Sequence, residues 1–289
     1  MELSATKTRP SMPDLAGARV GLLEARMQGE LADMVRRWGG EPVSAPALRE
    51  DPLPSSDAVG RFIDLLTARQ LPFVLFLTGA GASALIREAH SLGRQQELLD
   101  GLERSTTICR GPKPSGVLAK HRVTIDVRVP PPHTTPEILT TLALLLLDDR
   151  HVGLVHYGER NEVILDALRE RGAQVEELCL YEWQLPSDLA PLHSLIREII
   201  AGEIDAVAFT TQIHVRHLLQ VADDLQLREP LLQALASRTV TAAIGPTCAA
   251  ALAAVGITPQ VVADPPKIGP MLTGIADQLS QRRAHQGAH

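Results

Sequence analysis

Short apolar runs alternate with amphipathic stretches along this chain. Val20 to Leu23 is a brief β-rich run, and Gln28 to Trp38 an amphipathic helix closed by Gly39-Gly40. Pro42 to Leu48 reads as extended. Arg61 to Arg69 is predicted helical, Phe73 to Leu77 a buried strand, and Ala82 to Ser91 a helix. Gln95 to Leu102 is helical and polar. Thr106 to Cys109 is a further strand, and Ser115 to Lys120 opens another helix. Strands follow at Gly153 to Val155, Ala206 to Phe209 and Thr239 to Ile244, each trailed by a helix. Strands that alternate with helices predict parallel sheets covered on both faces, an α/β fold.

The pattern is written twice. Val20 and Val152 begin matching runs, and the same offset of 132 takes Gly40 to Gly172, Val43 to Val175, Glu50 to Glu182 and Thr78 to Thr210. With two more residues inserted, Gly111-Pro112 falls on Gly245-Pro246, Leu118 on Leu252 and Pro131-Pro132 on Pro265-Pro266. Two repeats are too few for a solenoid and predict a pair of related domains.

At 289 residues the chain has room for two domains, and 45% hydrophobic residues can fill their cores. Aromatics at 3% and a net charge of −6 give no stacking platform or basic field for nucleic acid, and no attraction to an anionic membrane. Three scattered cysteines fit a reducing cytoplasm better than a disulfide framework. Met1 to Gly17 lacks the apolar stretch of a signal peptide, and the longest fully apolar run, Leu142 to Leu147, is too short to span a bilayer. The ends, 1–18 and 281–289, are expected to be flexible.

Ligands of open parallel sheets bind beyond the carboxyl ends of the strands. The turns there are rich in glycine and hydroxyls: Thr78-Gly79-Ala80-Gly81, Arg110-Gly111-Pro112-Lys113, the Gly158 turn, Thr210-Thr211-Gln212 and Gly245-Pro246-Thr247. With Arg26, Arg110 and Lys113 they suit a ligand with many carboxylates, held by helix N-termini; the same residues also serve as ordinary helix caps. Gly79, Gly81 and Ala84 fit a dinucleotide fingerprint, but the acidic residue that should end a second strand is missing, and the matching turn in the second repeat has no glycine. His214 and His217 stand three apart with no third metal ligand in view and are expected to be partly exposed helix residues. Ser83 and Ser115 lack a nucleophile elbow. No cofactor and no metal are expected.

Ala242-Ala-Ile-Gly-Pro-Thr-Cys-Ala-Ala-Ala-Leu-Ala-Ala-Val-Gly-Ile257 resembles the A-I-G-P-x-T-A block of uroporphyrinogen-III synthases. Val207-Ala-Phe-Thr-Thr211 and the stretch Leu178-Cys-Leu-Tyr-Glu182 resemble two further family segments, in the same order. The first repeat departs, with Thr78-Gly79-Ala80 in place of T-S-x and Cys109-Arg-Gly-Pro-Lys-Pro in place of V-G-x-x-T-A. The resemblance implies two flavodoxin-like domains joined by a two-stranded ladder. One domain would comprise 19–45 with 184–280 and the other 50–181, with Pro42 to Leu48 and Val175 to Trp183 as the crossing strands. It implies cyclisation of hydroxymethylbilane, a linear tetrapyrrole with eight carboxylates, in the cytoplasm by a monomer in passing contact with hydroxymethylbilane synthase. Tyr181 matches the family's tyrosine near the interdomain cleft and is assigned to assisting departure of the hydroxyl, with Thr247 as a second catalytic candidate. Arg26, Thr78, Gly79, Ala80, Arg110, Gly111, Lys113, Gly158, Thr210, Thr211, Gln212, Gly245 and Pro246 are the expected substrate contacts. The alternatives are a non-catalytic tetrapyrrole or anion sensor descended from such an enzyme and, further off, a periplasmic-type binding protein.

Overall fold

A computed structural model describes residues 14–25, 28–156 and 158–286. The chain divides into two units, one running to Arg49 and resuming at Leu185, the other spanning Glu50–Gln184. The first holds β1 (Arg19–Leu22), β2 (Glu41–Ser44), β10 (Ala206–Phe209), β11 (Val240–Ala243) and β12 (Val261–Val262). Around them lie α1 (Gln28–Arg37), α8 (Ala190–Ala201), α9 (Gln212–Asp224), α10 (Arg228–Ser237), α11 (Pro246–Ala253) and α12 (Ile268–Gln286). The second holds β4 (Phe73–Phe76), β5 (Thr106–Cys109), β6 (Val127–Arg128), β7 (His151–Val155) and β8 (Gln174–Leu178). Its helices are α2 (Ser56–Thr67), α3 (Gly79–Ser91), α4 (Gln95–Glu103), α5 (Pro112–Lys120), α6 (Thr135–Ala143) and α7 (Glu162–Arg169).

Both sheets are parallel, ordered β12-β11-β10-β1-β2 and β6-β5-β4-β7-β8. Each is the flavodoxin order, permuted in the second unit so that the first two strands of the pattern, β7 and β8, come last in sequence. A two-strand antiparallel ladder, β3 (Arg49–Pro52) with β9 (Tyr181–Gln184), joins the two sheets' chain segments. The expected crossing strands are thereby corrected. Pro42–Ser44 is part of β2 and Val175–Leu178 part of β8, and the ladder strands follow them. After β2, Ala45 and Ala47 still donate to Leu22 and Leu23, and from Arg49 the chain leaves this sheet to pair with β9.

Side chains alternate across the strands as their two-residue period demands. In β10, Ala206 and Ala208 face one core with Val20, Leu22, Val35, Met271 and Leu272, while Val207 and Phe209 face the other with Leu195, Ile199 and Leu218. In the second unit Val74 and Phe76 join Phe62, Ile63 and Leu85 on one side, and Leu75 joins Ile108, Leu154 and Leu165 on the other. Gly153, central in β7, is where Phe62 lies closest: a Cβ there would stand 2.7 Å from its ring.

The structure also shifts the repeat by one residue. The left-handed glycine that closes the first helix is Gly39, beside Asp14, and its counterpart Gly172 lies beside Asp149, so Gly40 corresponds to Ala173. Likewise Thr78 caps α3 and Thr211 caps α9, both helices having 13 residues; Thr78 therefore matches Thr211, not Thr210. Of the ends expected to be flexible, 1–13 and 287–289 lie outside the described residues. The helix α12 continues to Gln286, with Arg282 donating to the Arg238 carbonyl (2.6 Å) and Arg283 to that of Ala16 (3.3 Å).

His214 and His217 are buried, contrary to the expectation of partial exposure, because α9 also turns Ile213, Val215, Leu218 and Leu219 inward and has little free face. His217 Nδ1 donates to the Ala47 carbonyl (2.6 Å), tying α9 to the segment after β2. His214 is 0% exposed, its Nδ1 accepts the Thr210 N–H (3.4 Å), and its Nε2 meets no hydrogen-bond partner among the described residues.

This packing is open to test at two positions. Gly153→Ala will lower stability by about 1–3 kcal/mol in urea unfolding, because the Phe62 ring must move; a change within about 0.5 kcal/mol would contradict the packing described. Burial holds the His214 pKa down to about 4, although Glu24 pulls it upward. Its unfolded counterpart titrates near 6.5, so between those values the unfolded chain binds more protons and stability falls as pH falls. This residue contributes a slope of up to about 1.4 kcal/mol per pH unit. Unfolding curves from pH 7 to 4.5 will show that loss, and His214→Gln will flatten it.

Candidate functional site

Helices on opposite faces of a doubly wound sheet leave a crevice where the strand order reverses, between β1 and β10 in one unit and between β7 and β4 in the other. The sequence-predicted residues that the structure describes lie beyond the carboxyl ends of β4, β5 and β7 in one unit and of β10 and β11 in the other, with Tyr181 at the start of β9.

In the second unit β4 runs out through Leu77 to Thr78, whose extended backbone (φ −144°, ψ 156°) places it at the N-cap of α3. Its Oγ1 accepts the Gly81 N–H at 2.9 Å and lies 3.1 Å from the Tyr181 hydroxyl. Tyr181, only 7% exposed, begins β9 and meets Trp183 edge to face at 6.3 Å between ring centroids. Gly79 lets the β4–α3 turn pass the β5–α5 turn: a Cβ on it would stand 3.1 Å from the Lys113 carbonyl oxygen. Thus Thr78, Gly79, Lys113 and Tyr181 come together, with Ala80 half-buried beside them. Lys113 is exposed in the first turn of α5. That turn offers fewer backbone donors than the sequence-based picture of an anion cradle requires, since Pro112 and Pro114 carry no N–H. Arg110 Nε donates to the His133 carbonyl (2.7 Å), and Gly111 packs against the same histidine. Gly158, with φ +21°, lies under the Trp183 indole, which a Cβ would meet at 2.2 Å; its position serves that packing.

The first unit builds a different surface. Thr210 Oγ1 donates to Glu24 Oε2 (2.6 Å), and Thr211 caps α9, its Oγ1 accepting the Ile213 N–H at 3.5 Å. Gln212 opens that helix, half-buried. With the Thr210 hydroxyl engaged by a carboxylate, the backbone N–H groups of the helix end are what remain to receive an anion there. Gly245, at the N-cap of α11, has extended backbone packed on Pro266, and Pro246 and Thr247 form the first turn, Thr247 half-exposed. Arg26 lies outside the described residues.

Two polar groups at these strand ends, Glu24 and His156, stand outside the residues expected from the sequence. Glu24 pairs with a threonine 186 residues away. His156, 2% exposed, lies 3.0 Å from Glu177 Oε2 through Nε2 and accepts the Asn161 N–H at Nδ1 (3.4 Å). Glu177 is clasped by Arg160 at 2.8 and 2.7 Å, which holds its carboxyl below the usual range, whereas burial pushes the His156 pKa down. His156 is therefore neutral near pH 7, with its proton on Nε2. The available signal was positional: Glu24 and His156 share the offset that relates Val20 to Val152. Among the described residues no cluster of three or more metal-ligating side chains occurs, and no helix is long and apolar enough to cross a membrane.

Residues 29–273 match the family model described as uroporphyrinogen-III synthase HemD. A Bacillus subtilis protein named "Uncharacterized protein YjjA" is 27% identical over 274 residues, covering 93% of this chain and 98% of that one. Among solved structures, a mutant uroporphyrinogen III synthase of Thermus thermophilus is similar at a TM-score of 0.74 and 26% identity, over 92% of this chain and 100% of that one. Uroporphyrinogen-III synthetase of Helicobacter pylori, at 16% identity and a TM-score of 0.50 over 91% of this chain and 99% of that one, shares the fold. With its family match running through both units and the same fold in solved synthases, this chain belongs to the uroporphyrinogen-III synthase (HemD) family.

Proposed function

We propose that the protein converts hydroxymethylbilane to uroporphyrinogen III, with inversion of ring D and loss of water. The observation that carries this reading is the family match over 29–273, which takes in the turns after β4, β5, β7, β10 and β11. The substrate is linear and closes spontaneously to the unrearranged isomer, so the protein's task is to hold it folded for the alternative closure. That is catalysis by positioning and by donors aimed at developing charge.

Each unit offers helix ends for the substrate's carboxylates: the amides of Gly79 and Ala80 on α3, Thr211 and Gln212 on α9, and Thr247 on α11, where Pro246 has none to give. Lys113 adds an exposed cation beside the first of these. Tyr181 donates its phenolic proton to the departing hydroxyl. The C–O bond breaks with its electron pair leaving on water, and a cationic azafulvene remains. Attack through the substituted carbon of ring D gives a spiro intermediate that fragments and recloses with ring D reversed. The proton lost from the open carbon of ring D at closure restores the phenol, so one water leaves in all. The Thr247 hydroxyl, in the first turn of α11, is assigned to a hydrogen bond that holds the folded substrate.

The test is incubation with freshly generated hydroxymethylbilane, oxidation, and separation of porphyrin isomers I and III. Isomer III in proportion to protein supports the synthase; isomer I at the protein-free rate, beside an active control, overturns it in favour of a ligand-sensing role. Tyr181→Phe will lower kcat by roughly tenfold to a hundredfold, and Thr247→Ala by about threefold to tenfold. Undiminished turnover in both variants would remove these assignments.

A further inference from the structure

Thr78 holds two bonds with one hydroxyl. Its Oγ1 takes the Gly81 N–H at 2.9 Å, as an N-cap does, and stands 3.1 Å from the Tyr181 phenol oxygen. A hydroxyl that accepts from an amide becomes a stronger donor through its own hydrogen. The amide here belongs to the first turn of the 13-residue helix α3, where the backbone's positive partial charge concentrates. The neighbourhood is fixed: the phenol is buried, and Gly81 is wedged so closely that a Cβ on it would come within 2.9 Å of the His156 carbonyl oxygen. The hydroxyl and the phenol therefore meet in a setting with little freedom to part.

We infer that Thr78 donates its hydroxyl hydrogen to the Tyr181 oxygen, so that the amino end of α3 stabilises the phenolate form through a relay from Gly81 N–H to Thr78 to Tyr181. The inference rests on the assignment of Tyr181 as proton donor to the leaving hydroxyl. In that step the phenol gives up a proton, the electron pair stays on its oxygen, and the Thr78 hydrogen bond strengthens as that charge develops. Thr78 is then a positioning and polarising residue whose hydroxyl is not spent on a substrate carboxylate; the amides of Gly79 and Ala80 keep that task.

The chain has two tyrosines, so in a Tyr157→Phe background Tyr181 is the only phenol and its titration can be read from ultraviolet absorbance. Against that reference, Thr78→Val will raise the titration midpoint by roughly one pH unit and lower kcat about tenfold with little change in KM. Thr78→Ser, which keeps the hydroxyl, will restore both. Thr78→Gly removes the donor without adding charge, and glycine serves as an N-cap at little cost, so the variant will stay folded and raise the midpoint as Thr78→Val does. It separates capping from donation if Thr78→Val fails to fold. A midpoint unchanged in Thr78→Gly, or in a folded Thr78→Val, would overturn the relay and leave Thr78 a helix cap. The titration needs no turnover. No isomer III from the wild-type protein, together with shifted midpoints in the Thr78 variants, would therefore sink the synthase reading while sustaining the hydrogen bond.

Discussion

A parallel sheet buried on both faces can offer chemistry only at its strand ends. Val74, Leu75, Phe76, Val207 and Phe209 are all enclosed by helices, so no catalytic group can stand on the sheet's surface. Polar function gathers in the two or three residues between the last paired residue of a strand and the first turn of the next helix, and Tyr181 reaches one such turn from the start of ladder strand β9. That gathering explains the composition of the turns, where a threonine must cap a helix, a glycine must let one turn pass another, and any remaining donor faces outward. The Thr78-Gly79 turn does all three in two residues: the side chain caps, the glycine clears Lys113, and the amides stay at the open end of α3.

The two units use this constraint differently. Around α3 the hydroxyl of Thr78 meets a phenol, with an exposed lysine close by. Around α9 the hydroxyl of Thr210 meets a carboxylate, and a histidine enclosed in hydrocarbon receives the Thr210 amide. A duplication that preserves the strand order has thus let the polar residues at equivalent places diverge, with Glu24 in one unit and His156 in the other. The proposed roles follow this difference: proton donation falls to the unit with the phenol, and the other unit offers amides.

Much of the architecture was legible because periodicity and punctuation report backbone directly. Phe73 to Leu77 is too short and too apolar for anything but a covered strand, and Thr78-Gly79 after it announces a helix start. The one-residue slip in the repeat was not legible, since Gly39 and Gly40 stand side by side, as do Thr210 and Thr211, and only φ and capping tell which is which. Nor was β3, for Arg49-Glu-Asp-Pro52 has no apolar alternation; its pairing with β9 comes from the partner strand. At the site, residue types at the turns could be read, but their couplings could not. Thr78 and Tyr181 are 103 residues apart and Thr210 and Glu24 are 186 apart, and no local pattern encodes such meetings.

The interruption of the first unit by the second has a consequence for synthesis on the ribosome. The unit Glu50–Gln184 is one continuous stretch and can complete its sheet as soon as β8 and β9 emerge. The other unit cannot: β1 and β2 leave the ribosome first, yet β1 must find β10 as its neighbour, and β10 is made only after the whole intervening unit. At about 5–20 residues per second that wait is on the order of ten seconds. Throughout it, Val20 and Leu22 belong to a short nascent fragment without a core to enter. Loop-closure entropy is smaller once the intervening unit has folded, because a compact body then replaces a long flexible chain between the strands that must meet. The inserted unit thus acts as its host's folding template in time, and variants that slow its folding will leave the amino-terminal strands exposed to chaperones and proteases for longer.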